Sequence, residues 1–453
     1  MNLLFIAWRN FRYRALSSFL TTLSLMLGVG LVVMVMAIYG IISEAFVRNA
    51  SVGYNLVVGP RGSALQLTLN SVYYLSQPIE NLPYTEYMEF FPQEERAEMV
   101  RTYGGDPALG QRDGHYAGYV AGGYAIPLAL GDYFGDFRVV GTTPEFFEKL
   151  RHGPDVDQPF SFRHGRAFEA YTPENQYFEC VVGSRVAAQS GLHVGDTMNP
   201  THGDPEGKGH GQGFQVVGEL APTGTPNDRA VFVNLEGFYL LEGHAKPLEE
   251  DAVIEPPERD PDDERPPLLM IPEREVTSIL VRNGNLMFAP GMQNRINESG
   301  QAQAAAPIGE INKLMSAIVG PLLSALLVIT LITCIVAAFG VLVSIYNSMN
   351  DRRRDIAVMR ALGARRSSVT WIILFESLII AVVGGAAGWF LAHAAIFSAG
   401  SFIEQQTGVQ VGLFTVTQYE WLILPFVILL SLVAGIVPAM AAYRTDVGSN
   451  LSA

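Results

Sequence analysis

Charge is scarce in this chain. Only 16% of its 453 residues are Asp, Glu, Lys or Arg, against roughly 25% in typical soluble domains. The deficit is concentrated, since residues 15–43, 314–350, 377–403 and 421–443 carry no charged side chain at all. Each run reaches or exceeds the roughly 20 apolar residues needed to cross a hydrocarbon core of about 30 Å. Four transmembrane helices are expected. The first run is too long for the apolar region of a cleaved leader, and IYGIISEAF offers no small-x-small cleavage site, so it reads as an uncleaved anchor. Cysteine is nearly absent as well. Cys180 and Cys334 fall in different expected compartments, so no disulfide framework supports the segment between the first two spans. That segment must fold on its own core and is large enough to do so.

Arginine placement sets the orientation. Residues 1–14 carry Arg9, Arg12 and Arg14 with no acid, and the loop 351–366 carries six arginines against Asp351 and Asp355. Those ends are expected in the cytoplasm, with 444–453 as a cytoplasmic tail. The expected fold class is a membrane protein with four transmembrane α-helices and a large α+β extracytoplasmic domain inserted between helices 1 and 2. Residues 1–14 read as an amphipathic helix along the inner surface, 15–43 as the first span and 44–313 as the outer domain. Residues 314–350 form the second span with a stalk, 368–398 the third span, 399–420 an outer loop and 421–443 the fourth span. The chain is then a multi-pass protein of the inner (cytoplasmic) membrane. The outer segment holds 20 of the 30 basic residues and 38 of the 44 acidic ones. That balance argues against nucleic acid or anionic lipid as a partner, and for cationic or metal ligands.

Along the outer domain, NLVVGPRGSALQLTLNSVYYL reads as a β-rich run broken by a turn, and residues 84–112 as helical. FRVVGTTPEFFEKL and CVVGSRVAAQSGLHVGDTM each read as strand followed by helix. Residues 245–275, rich in acid and proline, are expected to form a mobile surface insertion. The stretch 294–320 reads as a helix leading into the second span.

The inner loop is more ordered than a loop needing only positive charge. In DRRRDIAVMRALGARRSSV, Ile356, Met359 and Leu362 recur at threes and Val358 joins Leu362 at four, so a short amphipathic helix is expected. Arg352, Arg353 and Arg360 lie around the stripe, Gly363 is placed as a stop, and Ser367 and Ser368 can cap the next helix. Such a helix suits a groove on a cytoplasmic partner, although a helix lying on the membrane surface has the same pattern. On the docking reading, Met359→Glu is expected to uncouple the partner.

DRRRDIAVMRALGARRSSV resembles the signature of the MacB/FtsX/LolC-type permeases of ABC transporters, with Ala357 where that family usually has Gly. FESLIIAVVGGAAGWFLA is similar to the family's third span, and GIVPAMAAYR to its closing segment. VVGTTPEFFEKL, GRAF (165–168), VVGSRVAAQSGLHVGD and FQVVGELAPTGTPNDRAVFVNL resemble its extracytoplasmic core. The resemblance implies a permease subunit without its own ATPase site, paired with a second permease copy or paralogue. It also implies two cytoplasmic ABC ATPase subunits holding ATP and magnesium, and it leaves room for an extracytoplasmic binding protein. The docking site it implies is the coupling helix, with Arg352, Arg353, Asp355, Ile356, Met359, Arg360, Leu362 and Gly363. A Gly-x-x-x-x-Gly-Lys-Ser/Thr phosphate loop is absent from these 453 residues, which agrees with an ATPase on another polypeptide. The cargo would be exported or extracted, with lipoprotein, peptide and lipid as open classes. The alternative is an ATP-driven regulator that activates an outside hydrolase or sensor without moving a solute.

Smaller features remain. Gly28, Gly384, Gly385 and Gly388 allow close helix approach, within one subunit or across a dimer. Glu376 and His393 are polar groups inside the third span, read as structural. His193, His202 and His210, with Asp196, Asp204 and Glu206, could hold a zinc-type ion in a glycine-rich stretch. Their spacing matches no closed zinc motif, and a solvated loop is the plainer reading. No nucleophile–base arrangement is recognisable, so the chain reads as a non-enzyme.

Overall fold

The computed structural model describes residues 3–13, 15–49, 53–78, 80–153, 156–203, 207, 209–248, 254–258, 263–351, 353–400 and 420–443. The chain divides into two compact units, Met1–Glu44 with Ser316–Ala453, and Ala45–Met315.

The first unit is helical. Helix Leu3–Tyr13 precedes Ala15–Asn49, and the later apolar runs form Gly320–Asp351, Arg366–Ser398 and Ile423–Tyr443. Three helices, Ala15–Ile41, Pro307–Asn347 and Arg366–Ser398, are long and apolar enough to cross a membrane. At 1.5 Å per residue the last of these spans about 50 Å. Their inward faces share one core built from Leu25, Val29, Val33, Val341, Ile345, Ile373, Ile380 and Ala381. Their outward faces are apolar too, with Leu27, Leu322, Ile329, Val336, Phe339 and Phe390 exposed. A helix apolar all round needs hydrocarbon outside as well as protein inside.

The second unit is built on a mixed sheet of eleven strands. Its main order is Ala302–Ala305, Leu56–Pro60, Ser278–Arg282, Tyr124–Phe134, Phe137–Thr142, Ala230–Asn234, Glu179–Val182, Phe214–Leu220 and Phe162–Gly165. Only two of these neighbours run parallel, Phe137–Thr142 with Ala230–Asn234 and Glu179–Val182 with Phe214–Leu220. The sequence supplies this through short Val-rich runs whose strands are buried along their whole length, such as VVGT, ECVV and AVFVN. Helices pack on both halves of the sheet and create two cores, one around Met88, Ile126's neighbour Ala125, Ile279 and Ile296, the other around Val139, Val182, Val216 and Phe238.

Three expectations are corrected here. The run after Leu56–Pro60 is a helix, Ala64–Tyr73, because Ser63 caps it by accepting from the Gln66 amide. The stretch 294–320 is interrupted by strand Ala302–Ala305, which completes the sheet edge beside Leu56–Pro60. The end of segment 245–275 is packed rather than mobile. Ile271 and Arg274 are buried, and the Arg274 guanidinium forks onto Glu236 at 2.6 and 3.0 Å while lying 3.6 Å from the Tyr103 ring centroid. Glu255 is also bridged to Gly105.

Glu89 is a comparable anchor in the same unit. Burial alone would raise its pKa. The Arg112 guanidinium and the His115 amide donate to it, and the buried Arg96 lies 3.2 Å away, so the carboxyl is held down at about 2. A lowered carboxyl stabilises the fold above its ordinary value near 4.5, and that contribution disappears as pH falls toward 2. Glu89→Gln is expected to lower stability near neutral pH by about 3 kcal/mol, since it strands Arg96. The melting temperatures of wild type and variant, followed by thermal scans, are expected to converge as pH drops from 4.5 to 2; parallel curves would refute the assignment.

Candidate functional site

Two places concentrate candidate functional side chains, one in each unit. In the first unit, the inner loop folds as helix Arg353–Ala361. Its end is closed by paired backbone bonds, Gly363 N–H to Arg360 and Ala364 N–H to Met359, with Gly363 in the left-handed region at φ +98°. This is the hydrogen-bond pattern of a Schellman stop and it requires a residue tolerant of positive φ. The next helix starts at Arg366 with Arg365 as its N-cap. Ser367 and Ser368 therefore lie in its first turn and do not cap it.

The expected stripe does not survive as one face. Steps of three residues drift by about 60° each on a 3.6-residue helix, so Ile356 and Leu362 end on different sides. Ile356 is 5% exposed and belongs to the core, Ala357 is buried, and Met359 packs against the same core. Leu362 is 83% exposed and Val358 43%, with Arg354 and Ala361 exposed beside them. Among the described side chains, the exposed ones on this helix and its stop are thus Arg354, Val358, Ala361 and Leu362. Ile356 and Met359 instead line a cavity of about 420 Å³ with Ile6, Arg9, Val369 and Glu376. Met359→Glu would disturb this interior, so it is not a clean test of docking. Arg353 and Asp355 fall on the helix, Arg360 is half-buried, and Arg352 lies outside the described residues.

In the second unit, Asp132 sits on strand Tyr124–Phe134 where the pairing with Phe137–Thr142 is bulged between Leu130 and Tyr133. The two-residue strand Thr201–His202 pairs here, putting His202 opposite Asp132. Thr201 is bridged to Gly209, and the His210 amide bonds the Pro200 carbonyl. His244 arrives from the far side, after helix Leu235–Tyr239, with its ring edge-on to Phe238 at 4.3 Å. The Asp132 carboxylate faces His202 Nδ1 at 3.2 Å, His210 Nε2 at 3.1 Å and His244 Nε2 at 3.3 Å. His244 Nε2 is 3.3 Å from His202 Nδ1 and 3.4 Å from His210 Nε2. Burial holds the His210 imidazole below its ordinary pKa, against the opposing pull of Asp132. The sequence reading found His202 and His210 but missed Asp132 and His244, which lie far away in the chain. One signal was present: Asp132 is the first acid after the apolar run YAIPLALG. His193 is not part of the group. It is exposed, and its amide bonds Asp196. Asp204 and Glu206 lie outside the described residues.

Comparison with known proteins now bears on both places. The model for the MacB-like periplasmic core domain matches residues 18–254, and that for the FtsX-like permease C-terminal matches residues 327–447. The chain belongs to the MacB/FtsX-type ABC transporter permeases. Among curated relatives, a macrolide export ATP-binding/permease protein MacB of Rhodopirellula baltica is 28% identical over 148 residues, covering 33% of this chain and 20% of that protein. The MacB of Bordetella avium is 31% identical over 127 residues, 27% of this chain and 18% of its own length. An uncharacterized ABC transporter permease, YknZ of Bacillus subtilis, is 26% identical over 98 residues, 22% and 23% of the two chains. The permease thus spans only about a fifth of the length of the relatives it matches.

Within the permease, the glycines expected at helix contacts separate into two kinds. A Cβ on Gly388 would lie 2.5 Å from the Met26 carbonyl oxygen and 3.0 Å from the Gly30 nitrogen, and one on Gly384 would lie 3.2 Å from Thr22 O. These glycines let helix Arg366–Ser398 touch the backbone of Ala15–Asn49 in the same chain. Gly385 is buried on that helix. Gly28 is looser, with its nearest neighbours, Cys334 Sγ and Ala337 Cβ, at ordinary contact distances of 3.8 and 3.9 Å. One contact escaped the sequence reading, Gly435 against Ser377. On the same third helix His393 bonds the buried Glu420 at 2.9 Å, and Trp389 donates to the same carboxylate oxygen at 3.0 Å. His393 is thereby tied by a structural bond to the chain that leads into the last helix. Gly388→Ala is expected to destabilise the permease in detergent by about 1–3 kcal/mol through overpacking, while Gly28→Ala leaves its melting temperature unchanged. Equal effects of the two substitutions would show that the close contact does not carry the packing.

Proposed function

We propose that this chain is the membrane subunit of an ABC transporter in which a separate cytoplasmic ATPase pair grips the helix Arg353–Ala361. ATP-driven closure then moves the core domain. The observation that carries this reading is the exposed apolar pair Val358 and Leu362 on a short helix flanked by arginines, with its stop sealed by Gly363. Burying two such side chains in a groove gives each an anchor of roughly 1.5–3 kcal/mol, and Arg354 and Arg365, both exposed, can meet acidic groups at the rim. The opposite face is fastened into the core through Ile356 and Ala357, so a push on the outer face is transmitted rather than absorbed by a loose loop. Arginine placement supports a cytoplasmic position for this helix. Four spans, with the core domain outside, complete the arrangement.

Two of the relatives are named for export and for joined ATP-binding and permease parts, which supports outward movement or extraction of cargo. Lipoprotein, peptide and lipid are the classes that fit a large domain working beyond the membrane. A second permease copy would complete the assembly.

The test is a co-purification. Full-length chain taken from its own cells in mild detergent is expected to bring an ABC ATPase with it. Leu362→Glu is expected to reduce the bound ATPase about tenfold or more, in line with the loss of a central interface anchor, without changing membrane insertion. Met359→Ala, on the inner face, is expected to retain it. Full ATPase recovery with Leu362→Glu would remove the docking surface.

A further inference from the structure

We propose that Asp132, His202, His210 and His244 form a tetrahedral binding site for one zinc-type divalent ion on the core domain. This goes beyond the transport reading and stands without it.

The first support is metric. Five separations between the facing donor atoms, with Asp132 presenting Oδ1 to His202 and Oδ2 to the other two, lie between 3.1 and 3.4 Å. All four ligand atoms fall within 4.8 Å of one another. With Asp132 Oδ2 as its ligand atom, four of the six edges of the tetrahedron measure 3.1–3.4 Å. A regular tetrahedron of that edge has its centre about 2.0 Å from each corner, the bond length zinc makes to imidazole nitrogen and carboxylate oxygen.

The second support is the condition of Asp132. Its side chain is 0% exposed, and neither carboxylate oxygen receives a hydrogen bond. A buried carboxylate without donors is costly. The three imidazoles cannot serve it together as neutral rings. If every facing nitrogen carried its proton toward Asp132, N–H groups would confront one another across the 3.3 and 3.4 Å contacts between His244 and its two neighbours. If some faced it with lone pairs, those would be repelled by the carboxylate. A dication at the centre turns all three lone pairs and the carboxylate into ligands at once.

The donor set narrows the ion. Three imidazoles and one carboxylate suit zinc and its neighbours among the late first-row metals, whereas calcium and magnesium take oxygen ligands. His210 and His244 are nearly buried, at 6% and 5% side-chain exposure, and His202 at 59% forms the open side. An ion can enter past His202, beside a cleft also bordered by Arg138, Gly243 and Lys246. Once bound, it would tie strand Thr201–His202, His210 and the turn at 243–244 to one strand of the sheet.

The experiment uses the full chain in detergent, carrying an affinity tag free of histidine, stripped with a chelator and then titrated with zinc chloride. One zinc per chain is expected to stay bound through gel filtration, counted by mass spectrometry. Cobalt in its place is expected to give the intense visible absorption of a tetrahedral centre. His210→Ala and His244→Ala are each expected to weaken zinc by more than the roughly 10–100-fold that outer-shell changes cost. His202→Ala, at the exposed ligand, tests the site without opening a buried hole, and is expected to weaken zinc in the same direction. His193→Ala is expected to leave binding unchanged. Loss of zinc from wild type on the column, a pale octahedral cobalt spectrum, or retention unaffected by the three ligand substitutions would each overturn the site.

Discussion

A charge removed from water must be met by groups shaped to receive it, and the core domain is organised around that demand. Glu89 is surrounded by Arg96, Arg112 and His115. Glu179, fully buried, takes two bonds from Arg166 and others from Thr172, Asn175 and the Glu169 amide. Asp228 receives the amides of Thr223 and Gly224. Arg274, likewise buried, is matched by Glu236 and three tyrosine rings. Arg274 and Glu236 join segments 38 residues apart, whereas Asp228 and Glu179 are met mostly by groups nearby in the chain. Breaking one partner costs more than the pair contributes, because the survivor is left buried and uncompensated. Against this pattern Asp132 stands apart among the described residues, with both oxygens buried and no hydrogen bond to either.

The membrane unit obeys a different constraint. Its helices have apolar surfaces inside and out, so no hydrophobic difference separates protein from lipid, and association rests on fit. Gly388 and Gly30 supply that fit by letting backbone meet backbone. The same unit fixes the rotation of the inner helix. Ile356 and Ala357 are drawn into the core, which leaves Val358 and Leu362 outside. Among the described residues of the unit none covers Leu362, which stays 83% exposed at the helix stop.

How much of this was legible in the sequence follows from the range of the interactions. The apolar runs announced the long helices, because length and uncharged composition are local properties. The strand runs VVGT, ECVV and AVFVN were readable for the same reason. Gly363 was found as a stop, since the αL position is set within one turn. The inner stripe was misjudged because a spacing of three mimics a face over one step and then rotates off it. Ala64–Tyr73 was hidden by β-favouring residues, and only the Ser63 cap gives it away. Asp132 and His244 could not be paired with His202 and His210 from spacing, because sheet order rather than sequence distance brings them together. The acidic segment was read from composition alone, which is blind to the single Arg274 that anchors its end.

The position of the histidine group within the sheet adds a further argument. Strand Tyr124–Phe134 pairs with Ser278–Arg282 only as far as Leu128, and beyond this Thr277 takes over, its hydroxyl receiving the Leu130 amide. Past that point the edge is free for Thr201–His202, which joins at Asp132 and Tyr133. The strand therefore changes partners just before the carboxylate. Two hydrogen-bonded residues make a weak strand by themselves. Imidazoles from two chain segments meet a carboxylate from a third there, and an ion held between them would give the exchange point its own crosslink, removing freedom that short pairing cannot. The buried side of the sheet needs no such help, since its strands are held by Val139, Val182 and Val231 in a continuous core. A ligand centre at this point would thus order an edge pairing that rests on two residues, Thr201 and His202.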